Sequence, residues 1–178
     1  SRRWSSSATF VVFRVDRRHF TKDAQAQGHW ERLDREPRPK VSLIDLTRNG
    51  PAGYVSTQEL QRRLVDERVK NATTDSVVLV EHEPVYTLGR GATEEHVLFD
   101  SRNEDSPLLV RCERGGDVTY HGPGQLVAYP VLQLSEYKRD SHWYLRALEE
   151  VVIRTCASFG APDATRHHEH TGVWLRGH

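Results

Sequence analysis

The chain has 178 residues, of which 37% are hydrophobic and 28% are charged, a composition typical of one soluble globular domain with a sizeable core. Its longest apolar runs, such as Val77–Val80 and Leu126–Leu134, are far shorter than the roughly 20 residues of a membrane-spanning helix. Lys plus Arg equals Asp plus Glu at 25 each, and no basic motif marks the part expected to fold. We therefore expect neither a membrane span nor nucleic-acid binding.

The first 40 residues differ from the rest in charge. They contain ten Lys or Arg and five Asp or Glu, against fifteen and twenty in residues 41–178. Before Asp16 there are three Arg, four Ser and no acidic residue, which predicts an organellar transit peptide, with a plain basic tail as the alternative. Residues 17–40 are polar and lack hydrophobic periodicity, which predicts a linker. Because the sequence begins with Ser and contains no Met, we also expect it to be a piece of a longer protein.

From about Val41, short apolar runs alternate with two helical patterns. The predicted strands lie, in chain order, at Leu43–Leu46, Ser76–Glu81, Val85–Leu88, Leu108–Cys112, Val118–Tyr120 and Leu126–Leu134. Pro130 cannot donate a backbone hydrogen bond, so its position predicts a sheet edge or a bulge. Strands that are neighbours in sequence, with the helices set apart from them, predict an α+β protein.

The first helical pattern follows a break at Pro51–Gly53. A hydrophobic staple and a capping box are predicted at its start, with the residues Val55, Ser56, Glu59 and Leu60. An apolar stripe of Leu60, Leu64 and Val69 continues the pattern. We interpret this helix as core packing.

The second helical pattern runs from about Ser141 to Phe159 and ends at Gly160. One face carries the apolar residues Leu145, Leu148, Val152, Cys156 and Phe159, so Cys156 is predicted to be a small core residue. Cys112 is the other of only two cysteines. Two isolated cysteines are too few for a disulfide framework, which favours a reducing compartment.

The segment Arg114–Gln125, with the sequence RGGDVTYHGPGQ, contains four of the 12 glycines of the chain. Glycine lacks a Cβ atom, so Gly115-Gly116 lets the backbone approach a ligand and present N–H donors, and Gly122-Pro123-Gly124 predicts a sharp turn. Arg114 and His121 add a fixed cation and a titratable ring. From the residues alone, a glycine-rich hairpin with only a structural role is an equal alternative.

Two phosphate-binding motifs do not fit this segment. A dinucleotide-binding glycine motif opens a helix directly after a strand, whereas Arg114–Gln125 leads into another predicted strand. The Gly-Lys-Ser/Thr of a P-loop is missing as well. Phosphate binding is therefore not expected here.

Together with three other segments, RGGDVTYHGPGQ resembles the signature of the octanoyltransferases of lipoate synthesis. Glu81–Gly89 (EHEPVYTLG) is similar to a strand-and-turn motif of that family, His142–Arg146 (HWYLR) to the start of a helix in its plant plastid members, and Thr171–Leu175 (TGVWL) to the strand after that helix. The resemblance covers about Val41 to Leu175.

This resemblance implies the fold of the lipoate and biotin protein ligases, a mixed sheet flanked by helices with an acyl-binding tunnel, here incomplete at the C-terminus. It also implies transfer of an octanoyl or lipoyl group from acyl carrier protein to a lysine of a lipoyl domain. Such domains belong to 2-oxoacid dehydrogenase complexes and to the glycine cleavage H protein. The acyl group passes through a thioester on a cysteine, which suits a thiolate nucleophile, and neither ATP nor another cofactor is implied.

The resemblance further implies a substrate-binding set of eight consecutive residues: Arg114, Gly115, Gly116, Asp117, Val118, Thr119, Tyr120 and His121. For the side chains of Asp117, Val118 and Tyr120, strand packing or a solvated face is the alternative. The lysine and the nucleophilic cysteine of the family lie beyond His178, and neither Cys112 nor Cys156 matches them. We therefore assign no catalytic residue in this chain and expect these 178 residues alone to be inactive and poorly stable.

Four other histidines are considered as site residues, and none of them is assigned to the site. His82 follows a predicted buried strand, which suits a hydrogen-bonded histidine better than a position at a pocket mouth. His167, His168 and His170 could chelate a divalent metal, but they have neither a thiolate partner nor an ordered spacing to a fourth ligand. We expect adventitious binding there at most and assign no metal site.

Two alternatives to a transferase remain. A lipoate or biotin protein ligase would activate the acid with ATP, but in lipoate ligases an acidic residue follows the Tyr-His pair, whereas Gly122–Gln125 follows it here. A non-catalytic acyl-binding module is the other alternative. The similarity of His142–Arg146 to plastid members favours the chloroplast over the mitochondrion.

Overall fold

A computed structural model of the protein describes the backbone of residues 11–14 and residues 39–101, 103–167 and 170–175. In chain order its elements are β1 Val11–Arg14, β2 Val41–Asp45, α1 Tyr54–Val69, β3 Asp75–Glu81, β4 Val85–Leu88, β5 Leu108–Arg111, β6 Val118–His121, β7 Gln125–Val131, α2 Ser141–Ser158, β8 Thr165–Arg166 and β9 Val173–Trp174. Contacts divide the chain into two compact units. The first contains β1 to β7 with α1, and the second contains α2, β8 and β9.

A four-stranded sheet in the order β1-β7-β3-β2 forms the larger layer of the first unit. β2 runs parallel to β3, while β3 and β1 both run antiparallel to β7. The sheet is therefore mixed, as the family resemblance implies. Pro130 was predicted at a sheet edge or a bulge, but it belongs to β7, an inner strand of this sheet; it lies opposite Val77 and beyond the four residues of β7 that pair with β1.

One face of this sheet and α1 enclose the core. Alternate residues of a strand point to the same face, so the buried residues of β3 and β7 meet the buried face of the helix. The core cluster consists of Leu64, Val78, Val80, Val127, Tyr129 and Val131, with Ile44, Leu46, Ala52, Leu60 and Val65 packed against it.

The start and end of α1 differ from the prediction. The helix begins at Tyr54 with Gly53 as its N-cap, and the Ser56 hydroxyl donates to the Gly53 carbonyl at 2.9 Å, so Ser56 lies inside the first turn and the predicted capping box is wrong. Val69 is 72% exposed and does not continue the apolar stripe. The buried face is largely polar instead, with the residues Tyr54, Thr57, Gln61, Leu64 and Arg68.

A three-stranded sheet in the order β5-β4-β6 completes the first unit. β4 runs parallel to β5 and antiparallel to β6, so the chain passes from the larger to the smaller sheet between β3 and β4 and returns between β6 and β7. The return is a tight turn in which Gln125 N–H donates to the Gly122 carbonyl at 3.1 Å. Pro123 occupies its second position and Gly124, with φ of 86°, its third, the arrangement of a type II turn. The predicted sharp turn is confirmed.

The second unit is built on α2. The Asp140 carboxylate accepts a hydrogen bond from Trp143 N–H at 3.1 Å at the start of the helix, and Gly160, with φ of 86°, follows its end, as predicted. Cys156 is only half-buried, so it is not a core residue. β8 and β9 form an antiparallel ribbon after the helix. Neither this helix nor any other described helix is long and apolar enough to cross a membrane.

Candidate functional site

Two histidines meet where the chain passes between the two sheets. His82 follows β3 and His121 ends β6, and their ring centroids are 5.9 Å apart. Tyr54 at the start of α1 lies 5.3 Å from the His82 ring and stacks on His121 at 6.3 Å, while Tyr129 of β7 lies 5.8 Å from His82. All four side chains are at most 2% exposed. We call Tyr54, His82, His121 and Tyr129 the His–Tyr cluster.

His82 is hydrogen-bonded at both ring nitrogens. Its Nδ1 lies 3.1 Å from the Ala52 carbonyl, which can only accept, so Nδ1 carries the proton and Nε2 accepts from the Tyr129 hydroxyl at 2.7 Å. Burial lowers the pKa of His82 to about 4, although the bond to Ala52 opposes this effect. The ring is therefore neutral at pH 7, and the structural interpretation of His82 is confirmed.

His121 contacts a side chain on each side of its ring. Nδ1 lies 2.7 Å from Gln125 Oε1, and Nε2 lies 3.4 Å from Thr87 Oγ1 on β4. Burial lowers the pKa of His121, the bond to Gln125 opposes this effect, and the positive charge of Arg114 lowers the pKa further. The His121 ring is therefore neutral at pH 7.

The Arg114 side chain folds back onto the loop that it begins. Its Nη2 donates to the Thr87 carbonyl at 2.8 Å, to Thr87 Oγ1 at 2.7 Å and to the Asp117 carbonyl at 2.8 Å, and its Nη1 donates to the Gly115 carbonyl at 3.0 Å. Through these hydrogen bonds Arg114 holds the glycine-rich loop, residues 114–117, against β4.

The backbone approach predicted for the glycines occurs between two parts of the chain itself. Gly116 has φ of 84°, a conformation that a side chain strains, and its carbonyl occupies the place where a Cβ atom of Gly89 would lie. Arg90 N–H also donates to the Arg114 carbonyl at 2.9 Å. The loop after β4 and the glycine-rich loop are therefore packed backbone to backbone.

Alternation along β6 separates the predicted binding residues into two groups. Tyr120 is 47% exposed and packs on Tyr86 at 5.0 Å, while Thr119 and His121 alternate with it. The Asp117 carboxylate accepts from Val118 N–H at 2.8 Å and pairs with His96 Nδ1 at 2.5 Å. The structure thus connects Arg114 and the Thr119 carbonyl through Thr87 to His121 of the His–Tyr cluster. It favours the alternative interpretation for the side chains of Asp117, Val118 and Tyr120.

The two cysteines do not have the surroundings of an activated thiol. Cys112 is buried, and its thiol donates to the Leu88 carbonyl at 3.2 Å. It also contacts Tyr54, whose pKa is raised by burial and then by this thiol. Burial raises the pKa of Cys156, which reduces its thiolate fraction.

Four residues of the site were not among those predicted from the sequence: Tyr54, Thr87, Gln125 and Tyr129. Tyr54 was missed because the predicted capping box made Ser56 the N-cap, so Tyr54 was expected to lie before the helix, whereas the helix begins at Tyr54 itself. Tyr129 could have been found, since it alternates with Val127 and Val131 on the buried face of β7. Nothing in the local sequence of Thr87 indicates that Arg114 and His121 both reach its hydroxyl.

Two of the three histidines named near the C-terminus belong to the described residues. The rings of His167 and His170 lie 4.8 Å apart, and His168 lies outside the described residues. In the part of the chain that the structure describes, no group of three or more His, Cys, Asp or Glu side chains could hold a metal ion.

Several curated proteins are similar to this chain over much of its length. A protein named octanoyltransferase from Nostoc punctiforme is 44% identical over 144 residues, which are 80% of this chain and 62% of the relative. An octanoyltransferase from Gloeobacter violaceus is 49% identical over 72% of this chain and 56% of its own length. A third, from Arabidopsis thaliana, is named octanoyltransferase LIP2p2, chloroplastic, and is 48% identical over 65% of this chain and 40% of its own length. The chain thus spans less than two thirds of each of these relatives.

A match to a family of catalytic domains includes the whole site. The sequence model of the lipoyl protein ligase A/B catalytic domain matches residues 54–178. This range begins at Tyr54 and contains the rest of the His–Tyr cluster and the glycine-rich segment. The mixed sheets of the first unit, with α1 packed on the larger one, agree with this assignment, and the chain belongs to the lipoyl protein ligase A/B catalytic domain family.

Proposed function

We propose that the full-length protein transfers an octanoyl group, or a lipoyl group, from acyl carrier protein to a lysine of a lipoyl domain. The main support is the 44 to 49% identity to the octanoyltransferases of Nostoc punctiforme and Gloeobacter violaceus. The acceptors would be the lipoyl domains of 2-oxoacid dehydrogenase complexes or the glycine cleavage H protein, as the resemblance implies.

The transfer takes place in two steps. A cysteine thiolate attacks the carbonyl of the carrier thioester, and the carrier thiol leaves as the new thioester forms. The lysine amine of the acceptor then attacks that thioester, an amide forms, and the cysteine thiol is released. From the resemblance we expect this cysteine, and a lysine near it, beyond His178 and not at Cys112 or Cys156.

The segment from Arg114 to His121 is proposed to form one wall of the acyl pocket. Gly115 and Gly116 are exposed and can present backbone to a ligand without a Cβ atom in the way. His121 is buried and neutral, which suits an apolar acyl chain, since an imidazolium beside a hydrocarbon tail would be costly to desolvate. Arg114 holds this wall in shape through Thr87 and the carbonyl of Asp117.

The pocket assignment predicts that two substitutions in the full-length protein impair acylation. Gly116→Val places a branched side chain at a residue with φ of 84°, and His121→Ala removes the polar group at the end of the wall. Each variant is mixed with octanoyl carrier protein, and the octanoyl adduct on the protein is measured by intact mass. We expect both variants to form the adduct more slowly than the wild type.

Gly91→Ala is the matched control, because its added Cβ would meet the nearest atom, the Gly116 carbonyl oxygen, at an ordinary 3.7 Å. This control should be acylated like the wild type. Normal acylation of both Gly116→Val and His121→Ala would overturn the pocket assignment.

We also propose that the protein is targeted to the plastid. The support is the basic, Ser-rich composition of residues 1–15 and the word chloroplastic in the name of the Arabidopsis thaliana relative. Residues 1–40 fused to a fluorescent reporter should accumulate in plastids, and accumulation in mitochondria would contradict this proposal.

A further inference from the structure

The position of the proton on His121 follows from the groups around its ring. The Tyr120 carbonyl can only accept a hydrogen bond, so the amide of Gln125 must direct Nε2 towards it, at 3.3 Å. The Oε1 atom of Gln125 then faces His121 Nδ1 at 2.7 Å. An amide oxygen can only accept, so the proton of the ring lies on Nδ1. The opposite amide orientation would place Oε1 against the Tyr120 carbonyl.

The Thr87 hydroxyl is oriented from the other side by Arg114. A guanidinium can only donate, and Arg114 approaches Thr87 Oγ1 with Nε at 3.3 Å and Nη2 at 2.7 Å. The single hydroxyl hydrogen of Thr87 can then point to His121 Nε2 or to the Thr119 carbonyl, each 3.4 Å away. Because Nδ1 carries the ring proton, Nε2 of His121 has a lone pair. The Thr87 hydroxyl therefore donates to Nε2, since otherwise the lone pairs of Thr87 Oγ1 and His121 Nε2 would face each other in a buried place.

We propose that Gln125 and Thr87 are positioning residues that hold His121 as a neutral imidazole protonated on Nδ1, and that Arg114 acts on His121 through the Thr87 hydroxyl. The connected groups Arg114, Thr87, His121 and Gln125 are called the polar relay. Each member donates to the next, and Gln125 donates finally to the Tyr120 carbonyl. The state of His121 does not depend on which acyl reaction the protein performs, whereas its importance for an acyl pocket rests on the proposed function.

The other groups that face the His121 ring agree with a neutral state. They are the Tyr54 ring of α1, the neutral His82 ring after β3 and the positively charged Arg114. A second positive charge on His121 would lie close to Arg114 in a buried site, which is unfavourable.

The proposal is tested by side-chain nitrogen NMR of the 15N-labelled full-length protein. The His121 signals are identified by their loss in His121→Asn, and at pH 7 the wild type should show the Nδ1-protonated neutral form. Gln125→Glu places a carboxylate of the same size beside Nδ1 and should raise the pKa of His121 by about 1 to 3. Thr87→Val should shift the Nε2 resonance without moving the proton from Nδ1, and Thr87→Ser should restore the wild-type resonance.

His82 serves as an internal control, because its own bonds to Ala52 and Tyr129 should keep its tautomer unchanged in these variants. A wild-type ring protonated on Nε2, or on both nitrogens at pH 7, would overturn the proposal even if a variant failed to fold. An unchanged His121 pKa in Gln125→Glu would overturn the role of Gln125, and an unchanged Nε2 resonance in Thr87→Val would overturn the link to Arg114. A failure of the proposed function is distinguishable, since it would abolish octanoyl adduct formation and leave these NMR signals as expected.

Discussion

His82 connects the stability of the first unit to pH. In the folded protein its pKa is about 4, whereas an exposed histidine in the unfolded chain titrates near 6.5. As the pH falls from 6.5 to 4, the unfolded state binds this proton first, so the stability present above pH 6.5 is lost progressively. His121, whose pKa is also lowered, acts in the same direction.

We therefore predict that the free energy of unfolding decreases between pH 6.5 and 4, by up to about 1.4 kcal/mol per pH unit for His82, and that His121 contributes in the same direction. Denaturant unfolding measured at several pH values gives this slope. His82→Asn should be less stable at pH 7 but should show a shallower slope in the same window. Equal slopes for the variant and the wild type would show that His82 does not titrate as described.

At the scale of single residues, the sequence indicated the importance of Arg114 and His121 but not how they act. Arginine and histidine beside glycines suggest a ligand-binding pair. In the structure, however, the Arg114 guanidinium donates hydrogen bonds to the Thr87 and Asp117 carbonyls. These acceptors lie on β4 and within the glycine-rich loop, so they depend on a strand pairing that the sequence pattern does not specify.

Glu149 links the elements of the second unit. It is 4% exposed, and its carboxylate accepts from Gly172 N–H at 3.0 Å and from Arg146 Nη1 at 2.7 Å, with Arg166 Nε at 3.3 Å. Burial opposes its ionisation, but these donors outweigh that effect and lower the pKa of Glu149. The carboxylate therefore joins α2 to β8 through Arg166 and to the residue before β9, Gly172.

Glu149→Gln is predicted to loosen the β8–β9 ribbon, since it removes the charge that faces the two arginines. A hydrogen bond to a charged group contributes about 1.5 to 3 kcal/mol, so amide exchange over residues 165–174 should become about ten- to a hundredfold faster. Hydrogen–deuterium exchange with mass spectrometry measures the change. Glu150 on the same helix also pairs with Arg166 but is half-exposed, so Glu150→Gln is the comparison variant and should have a smaller effect, because solvent screens an exposed ion pair. Equal exchange in Glu149→Gln and the wild type would contradict the link.

At the scale of elements, strand positions could be predicted well and strand partners could not. The runs at Ser76–Glu81 and Val85–Leu88 lie within a residue of β3 and β4, and the second helix ends where Gly160 indicated. The same runs give no sign that β3 and β4 belong to different sheets, because alternation reports a buried face and not the neighbouring strand. β1 lies in the segment that was predicted to be a transit peptide. No strand was predicted there, because the Arg- and Ser-rich composition was given more weight than the four residues Val11–Arg14.

At the scale of the whole molecule, the fold class and family could be predicted from ordered motifs, whereas the His–Tyr cluster could not. Its members come from α1, β7 and the ends of β3 and β6. They meet because the chain crosses between the sheets twice, once after His82 and once after His121. The prediction that residues 1–40 are a transit peptide and linker stays a prediction, since most of them lie outside the described residues.

Transfer to a lipoyl domain is the most direct measurement of the proposed function. The full-length protein is incubated with an unmodified lipoyl domain and either octanoyl carrier protein without ATP or free octanoate with ATP, and the mass of the lipoyl domain is followed. We predict octanoylation of its lysine from the carrier without ATP. Octanoylation only from octanoate with ATP would identify a ligase, and modification from neither donor would contradict acyl transfer and leave an acyl-binding module.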